Sequence, residues 1–215
     1  MTLDLQLAEL MAARLCHDLV GPIGAVANGV ELLSDGGAGD AEVTGLIAVS
    51  ARQATRRLQW FRVAFGSASG LPTSAMFAET RRLAIGLFEE GRVALEWAAP
   101  DPDTEAAATR EAAKLALNLG LFALECLPRG GVVQVHVTPK PMSLNLSVAA
   151  VGTSARIPED MHSALREGVT VSELTPKSVP AYLAARLVSQ AGSRLSIRTP
   201  SDDRVEFAAD LPRQS

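Results

Sequence analysis

His17 is the residue of this chain whose type and surroundings are best suited to chemistry. It lies in the segment Leu15-Cys16-His17-Asp18-Leu19, and a neutral imidazole is nucleophilic near neutral pH. Asp18 follows directly, and an acid beside a histidine can orient the ring and stabilise positive charge on it. The alternative is a surface histidine beside a solvated acid, with no chemical role.

The helix that must carry His17 is predicted over residues 3–34, where apolar residues recur at about 100° per residue. One apolar stripe contains Leu15, Leu19, Ile23, Val26, Val30 and Leu33. The residues that share the side of His17, nearly opposite, are Leu10, Arg14, Gly21, Gly24, Asn28 and Glu31. The pattern therefore predicts an imidazole on the exposed face, within reach of a large partner.

Two glycines and a proline follow His17 on the same helix. Gly21 and Gly24 each cost a helix about 0.5–1 kcal/mol relative to alanine. They indicate either clearance for a partner or close packing against another helix. Pro22 has no N–H, so it removes the intrahelical hydrogen bond to the carbonyl of Asp18.

A second amphipathic helix is predicted from Asp40, after a glycine-rich turn at 35–40. Its near-heptad stripe contains Val43, Ile47, Ser50, Ala54, Leu58, Phe61 and Phe65. Acidic residues dominate the first helix and arginines the second, which favours antiparallel pairing. Because two helices cannot bury both stripes, the pattern predicts a homodimeric four-helix bundle. Packing of the stripes against the rest of the same chain is the alternative.

Residues 66–74 are rich in glycine, serine and proline, and predict a linker between two domains, residues 1–70 and 71–215. Beyond it, helices are expected near 75–90, 108–127 and 180–190, and a loop at 100–105. Strands are expected at 93–97, 132–137, 144–151, 194–199 and 204–211. This order predicts an α+β chain in which a helical hairpin precedes a mixed sheet with helices on one face.

Composition narrows the class of protein. The net charge of −4 over 215 residues argues against nucleic acid as a partner. Cys16 and Cys126 have no disulfide-rich context, and no second Cys/His pair stands at metal-ligand spacing. Neither an export signal nor an apolar run of membrane-spanning length is visible. We therefore expect a cytoplasmic protein with no metal site and no membrane partner.

The segment His17-Asp18-Leu19-Val20-Gly21-Pro22 resembles the phosphoacceptor box of sensor histidine kinases. In that family a dimeric helical hairpin carries the box and an ATP-binding α/β sandwich follows it. The order of elements is similar here over nearly the whole chain. The resemblance implies that residues 71–215 have the fold of a histidine-kinase ATPase domain.

The residues that bind the nucleotide in those kinases are replaced in this chain. Phe122 stands where the family has the asparagine that holds magnesium and phosphate, and Gly152 where it has the adenine-binding aspartate. The segment Ser178-Val179-Pro180-Ala181 replaces the glycine-rich phosphate loop, and Pro180 has no amide to offer an anion. We therefore expect neither ATP binding nor autophosphorylation.

A phosphoacceptor hairpin joined to a degenerate ATPase-like domain resembles the ChpT type of histidine phosphotransferase, relay proteins of alphaproteobacteria. The stretches Leu15-Cys16-His17-Asp18 and Trp60-Phe61-Arg62-Val63-Ala64-Phe65-Gly66 are similar to that family. The resemblance implies that His17 takes a phosphoryl group from the receiver-domain aspartate of a hybrid histidine kinase and passes it to response regulators. It also implies that Mg²⁺ belongs to the receiver, so that this chain needs no cofactor.

The same resemblance implies roles for the neighbours of His17. Asp18 is expected to orient the imidazole. The expected partner-binding residues are Arg14, Val20, Gly21, Gly24, Arg56 and Arg57. For Arg14, contact with the phosphoryl oxygens and a plain surface role are both open. Two other functions remain as alternatives: an ATP-dependent sensor-type histidine kinase, and a non-catalytic dimeric protein that binds regulators.

Overall fold

The chain begins with two long helices that pair along their length. The computed structural model describes residues 5–35, 40–66, 75–89 and 91–212. Helix α1 spans Leu5–Ser34 and helix α2 spans Asp40–Ala64. An added Cβ at Gly29 of α1 would lie 2.5 Å from Cγ1 of Ile47 in α2, so this glycine allows the two helices to approach closely. The predicted helical hairpin is confirmed, and the turn at 36–39 lies outside the described residues.

The C-terminal half of the chain, from α3 to β5, is a mixed five-stranded sheet with helices. Its helices are α3 (Met76–Phe88), α4 (Pro102–Ala106), α5 (Arg110–Glu125), α6 (Glu159–His162) and α7 (Val179–Gln190). Its strands are β1 (Val93–Trp97), β2 (Gly131–Pro139), β3 (Ser143–Val151), β4 (Ser196–Ser201) and β5 (Arg204–Pro212). The strand order is β1-β2-β3-β5-β4, in which β1 pairs parallel with β2 and the other pairs are antiparallel. The predicted α+β class is confirmed.

The predicted loop at 100–105 is wrong in part, because it contains the short helix α4. Asp101 caps this helix by accepting a hydrogen bond from the amide of Thr104. Helix α4 in turn presents Glu105, whose carboxylate accepts the amides of Phe77 and Ala78 at the start of α3. The segment therefore satisfies two amides at the start of a neighbouring helix that would otherwise have no partner.

The helical hairpin and the C-terminal half share one hydrophobic core. Trp60 and Phe61, near the end of α2, are buried in the same cluster as Phe122 of α5 and the inward residues of the sheet. Asn118 of α5 also donates a hydrogen bond from Nδ2 to the carbonyl of Ala64, 2.9 Å away. The predicted domain boundary at residue 70 lies outside the described residues and stays a prediction.

Part of the apolar stripe of α1 remains uncovered by its own chain. Leu19 is buried, whereas Ile23 and Val30 keep 52% and 51% of their surface exposed. Exposed leucine and valine side chains also lie on α2, at Leu46, Val49 and Leu58. By length and composition α1 would also suffice to cross a membrane, the one helix of the described residues that does.

Candidate functional site

His17 lies on the exposed side of α1, as the sequence predicts, and its side chain is 71% exposed. Its ring nitrogen Nδ1 is 3.0 Å from Oδ1 of Asp18. A carboxylate can only accept a hydrogen bond, so the hydrogen of the neutral ring belongs on Nδ1. The lone pair of the imidazole is then on Nε2, the nitrogen that can act as a nucleophile.

Arg14 holds the second carboxylate oxygen of Asp18. Oδ2 of Asp18 accepts a hydrogen bond from Nε of Arg14 at 2.8 Å. The same guanidinium donates from Nη1 to Oε1 of Glu125, at the end of α5, at 2.9 Å. Arg14 is only 7% exposed. The sequence prediction that places Arg14 on the exposed face with His17 is therefore wrong, because its side chain lies in a cleft lined by residues of α2, α3 and α5.

Arg57 reaches across from α2 to the backbone of α1. Its Nη1 donates to the carbonyl oxygen of Asp18 at 2.8 Å. This is the carbonyl that Pro22 leaves without an intrahelical donor, because it would otherwise pair with the amide four residues later. Arg57 thus replaces the missing amide and attaches α2 to the backbone beside His17.

The replacement role of Arg57 can be tested with a double-mutant cycle. The substitution Arg57→Met keeps the apolar stem and removes the donor, and we expect it to lower the free energy of unfolding by about 1–3 kcal/mol. In a Pro22→Ala background the restored amide can pair with the Asp18 carbonyl. The same substitution should then cost about 1 kcal/mol less, measured by urea unfolding of the four proteins. An equal cost in both backgrounds would contradict the assignment.

The remaining expected partner-binding residues divide into two groups. Val20 is 69% exposed, and an added Cβ at Gly21 or Gly24 would meet nothing within 4 Å. These three positions leave open space beside His17. Arg56 differs, since its Nη1 donates to the carbonyl of Gly86 at 3.1 Å and its Nη2 lies 3.3 Å from the carboxylate of Glu89. Arg56 and Arg57 therefore both contact the protein itself.

Cys16 is exposed next to His17, whereas the other histidines and Cys126 belong to other elements of the chain. His136 and His162 are exposed on β2 and α6. Burial raises the pKa of the Cys126 thiol to about 12, so that thiol stays protonated. In the part of the chain that the structure describes, no group of three or more His, Cys, Asp or Glu side chains could hold a metal ion.

Glu125 is the site residue that the sequence analysis misses. It is 111 positions from Arg14 in the chain, and no motif links the two. The sequence predicts one side of the contact between Arg57 and Asp18, because Pro22 leaves the carbonyl of Asp18 without a donor in the helix. Only the packing of α2 on α1 shows which side chain supplies that donor.

Comparison with known proteins places the whole chain beside phosphotransferases. A family model described as the histidine phosphotransferase C-terminal domain matches residues 77–203. The protein phosphotransferase ChpT of Brucella abortus (strain 2308) is 31% identical over 207 residues, which are 96% of this chain and 96% of that protein. The relative and this chain are thus similar in extent as well as in sequence.

A solved structure agrees with this placement. The structure of a bacterial phosphotransferase is 28% identical, covers 97% of this chain and 98% of that chain, and superposes with a TM-score of 0.78. The catalytic domain of the histidine kinase ThkA covers 65% of this chain and 95% of its own, at 19% identity and a TM-score of 0.45. The first of these structures confirms the fold over nearly the whole length.

Proposed function

Because the chain belongs to the histidine phosphotransferases of the ChpT type, we propose that His17 is the residue that receives and passes on the phosphoryl group. The function of the chain, that of a phosphotransferase in a phosphorelay, follows from its membership of this family. The observation that carries the assignment of His17 is its exposed ring, with Nδ1 held by Asp18. This arrangement leaves Nε2 as the nucleophile.

The transfer needs no redox change and no co-reactant. Nε2 attacks the phosphorus of an aspartyl phosphate on a receiver domain, and a P–N bond forms. The P–O bond to the aspartate breaks, and the carboxylate leaves with the electron pair. In the second half of the cycle the aspartate of another receiver attacks phosphorus, and Nε2 recovers its lone pair. Such a reaction depends on positioning and on neutralising charge.

Asp18 supports both halves of the cycle. When Nε2 carries the phosphoryl group, the ring holds positive charge and keeps its hydrogen on Nδ1. Oδ1 of Asp18 accepts that hydrogen at 3.0 Å and stabilises the charge, as the acid beside a catalytic histidine does elsewhere. The role of Asp18 is therefore to orient the imidazole.

The partners are the receiver domain of a hybrid histidine kinase, which supplies the phosphoryl group, and response regulators, which take it. Val20, Gly21 and Gly24 suit docking of a receiver because they leave open space next to His17. The magnesium ion of the reaction comes with the receiver. In this chain both carboxylate oxygens of Asp18, the acid beside His17, already accept hydrogen bonds from Arg14 and His17.

ATP is not the phosphoryl donor in this proposal. Phe122 is fully buried, with its ring centroid 4.4 Å from that of Phe207, so its position belongs to the core. An added Cβ at Gly152 would lie 2.5 Å from the carbonyl oxygen of Gly130. An adenine-binding aspartate therefore does not fit at Gly152 without a backbone shift. Both features support a C-terminal half that works without nucleotide.

A second copy of the chain covers the exposed apolar stripe of α1, giving a homodimeric four-helix bundle. The support is the exposure of Ile23 and Val30, which continue the stripe that Leu19 begins inside the chain. The assembly is a cytoplasmic phosphoprotein with no nucleic-acid or membrane partner. The net charge of −4 argues against nucleic acid as a partner.

A two-donor assay tests this function. The purified chain is mixed either with labelled ATP and Mg²⁺ alone, or with a labelled receiver domain from which ATP has been removed. We expect label on the chain only from the receiver, and we expect it to be stable in alkali and labile in acid, as a phosphohistidine is. Addition of an unlabelled response regulator should then remove it.

Two results would contradict the proposal. Label from ATP alone would favour a sensor-type histidine kinase. Stable binding of receivers with no label on the chain would favour a non-catalytic regulator-binding protein.

A further inference from the structure

We propose that Glu125, in the C-terminal half, is a positioning residue for the phosphotransfer reaction. It acts on His17 through Arg14 and Asp18. This inference rests on the proposed role of His17 and adds to it a residue from the other half of the chain. It gives the C-terminal half a part in the reaction that requires no nucleotide.

Three contacts in series connect Glu125 to the imidazole. Oε1 of Glu125 accepts from Nη1 of Arg14 at 2.9 Å, and Nε of Arg14 donates to Oδ2 of Asp18 at 2.8 Å. Oδ1 of Asp18 then accepts from Nδ1 of His17 at 3.0 Å. Each contact uses a different atom, so all three exist at the same time.

These contacts fix the rotation of the Asp18 carboxylate. One carboxylate oxygen is on His17 and the other is on Arg14, so the rotation of the carboxylate follows the position of the guanidinium. Arg14 has a planar fork of donors that can hold two acceptors at fixed angles. Glu125 accepts from Nη1 of Arg14 and thereby fixes the direction in which Nε of Arg14 donates to Asp18.

Burial strengthens this coupling. Arg14 is 7% exposed, and a guanidinium removed from water needs partners with negative charge. The network borders a cleft of about 270 Å³ between the helical hairpin and the C-terminal half, lined by Arg14, Asp18, Trp60 and Glu125 among others. Without Glu125, the guanidinium of Arg14 would keep Asp18 as its acidic partner in the cleft. Its orientation would no longer be fixed by a second carboxylate.

The location of Glu125 on α5 has an electrostatic cost that Arg14 offsets. Glu125 is the last residue of α5, where the helix dipole disfavours a negative side chain. Leu121, Phe122 and Cys126 beside it are buried, so the end of the helix is fixed in the core. A carboxylate in this place, on a rigid element, is well suited to hold a residue of the neighbouring helix.

The substitution Glu125→Gln tests the inference, because it keeps the size of the side chain and removes its charge. We expect the rate of transfer from a saturating phosphorylated receiver to fall about 3- to 10-fold, since small misplacement of a reacting group is costly. The dissociation constant of the receiver should stay the same. The ¹⁵N shifts of the His17 ring, at a pH where it is neutral, should move from the Nδ1–H form toward a mixture of both forms.

Two further variants serve as control and confirmation. Glu89→Gln breaks another ion pair between the helical hairpin and the C-terminal half, that with Arg56, and should change neither the ring shifts nor the saturating rate. Arg14→Lys keeps the charge but replaces the planar guanidinium by a single ammonium, and it should lower the rate and move the ring shifts as Glu125→Gln does. It keeps the inference testable if Glu125→Gln folds poorly.

An unchanged rate together with unchanged ring shifts in both Glu125→Gln and Arg14→Lys would overturn the inference. The ring shifts are measured without any receiver. If the wild-type chain acquires no label but its ring shifts respond to Glu125→Gln, the proposed function fails, and only the structural link from Glu125 to the imidazole of His17 is supported. If the wild-type chain acquires label normally and neither the rate nor the ring shifts change in the two variants, the positioning role fails alone.

Discussion

We expect replacement of His17 by glutamine to stop the chain from acquiring a phosphoryl group, with a loss of at least about 10³-fold in the rate of transfer from a phosphorylated receiver. The amide has the approximate size of the ring and no nucleophilic nitrogen, so the P–N bond cannot form. Because the His17 side chain is 71% exposed, the substitution should leave the thermal unfolding temperature nearly unchanged. Transfer is measured as label retained on the chain after rapid mixing.

The chain contains its own matched controls for this experiment. His136 and His162 are the other two histidines, and both are exposed. Glutamine at either position should leave transfer at the wild-type rate. If the His17→Gln variant retained label, or if one of the controls lost it, the phosphoacceptor would have to be sought elsewhere.

Introducing charge into the exposed stripe of α1 is expected to separate the proposed dimer into monomers. In the variant Ile23→Glu with Val30→Glu, two carboxylates from each chain would be buried without partners in the bundle, at a cost of several kcal/mol. Both positions are about half exposed in the single chain, at 52% and 51%, so the fold of one chain should tolerate them. Light scattering should report the 22.6 kDa of one chain for the variant and twice that mass for the wild type.

The control for the dimer experiment is Met142→Glu. Met142 is also an exposed apolar residue, at the turn between β2 and β3, far in sequence from the helical hairpin. Its substitution should leave the dimer intact. A wild-type chain that is monomeric at every concentration, or a double variant that remains dimeric, would argue against the stripe as the interface.

Most of the elements follow from the sequence because local patterns determine them. The strand predicted at 93–97 is observed as Val93–Trp97, and its β-branched and aromatic end residues, Val93 and Trp97, favour the extended chain. The short helix α4 was missed although its signals are local. Asp101 is an N-cap and Pro102 stands at the first helical position, but the proline and aspartates there suggested a loop.

The site was predicted in part, for a reason that Arg14 illustrates. Helical periodicity shows which side of α1 a residue occupies, and it places His17 correctly on the exposed side. It does not show which parts of that side are later covered by another element. Residues of α2, α3 and α5 enclose the side chain of Arg14, whereas His17, three residues later, stays exposed. Contacts between residues more than a hundred positions apart cannot be derived from periodicity.

The burial of Trp60 and Phe61 in the core of the C-terminal half has a consequence for how this protein can be divided. A fragment that contains only α1 and α2 would expose these aromatic rings to solvent near the end of α2. Such an exposed apolar patch favours aggregation. The C-terminal half therefore completes the core of the two long helices, and we expect the helical hairpin to fold only together with it.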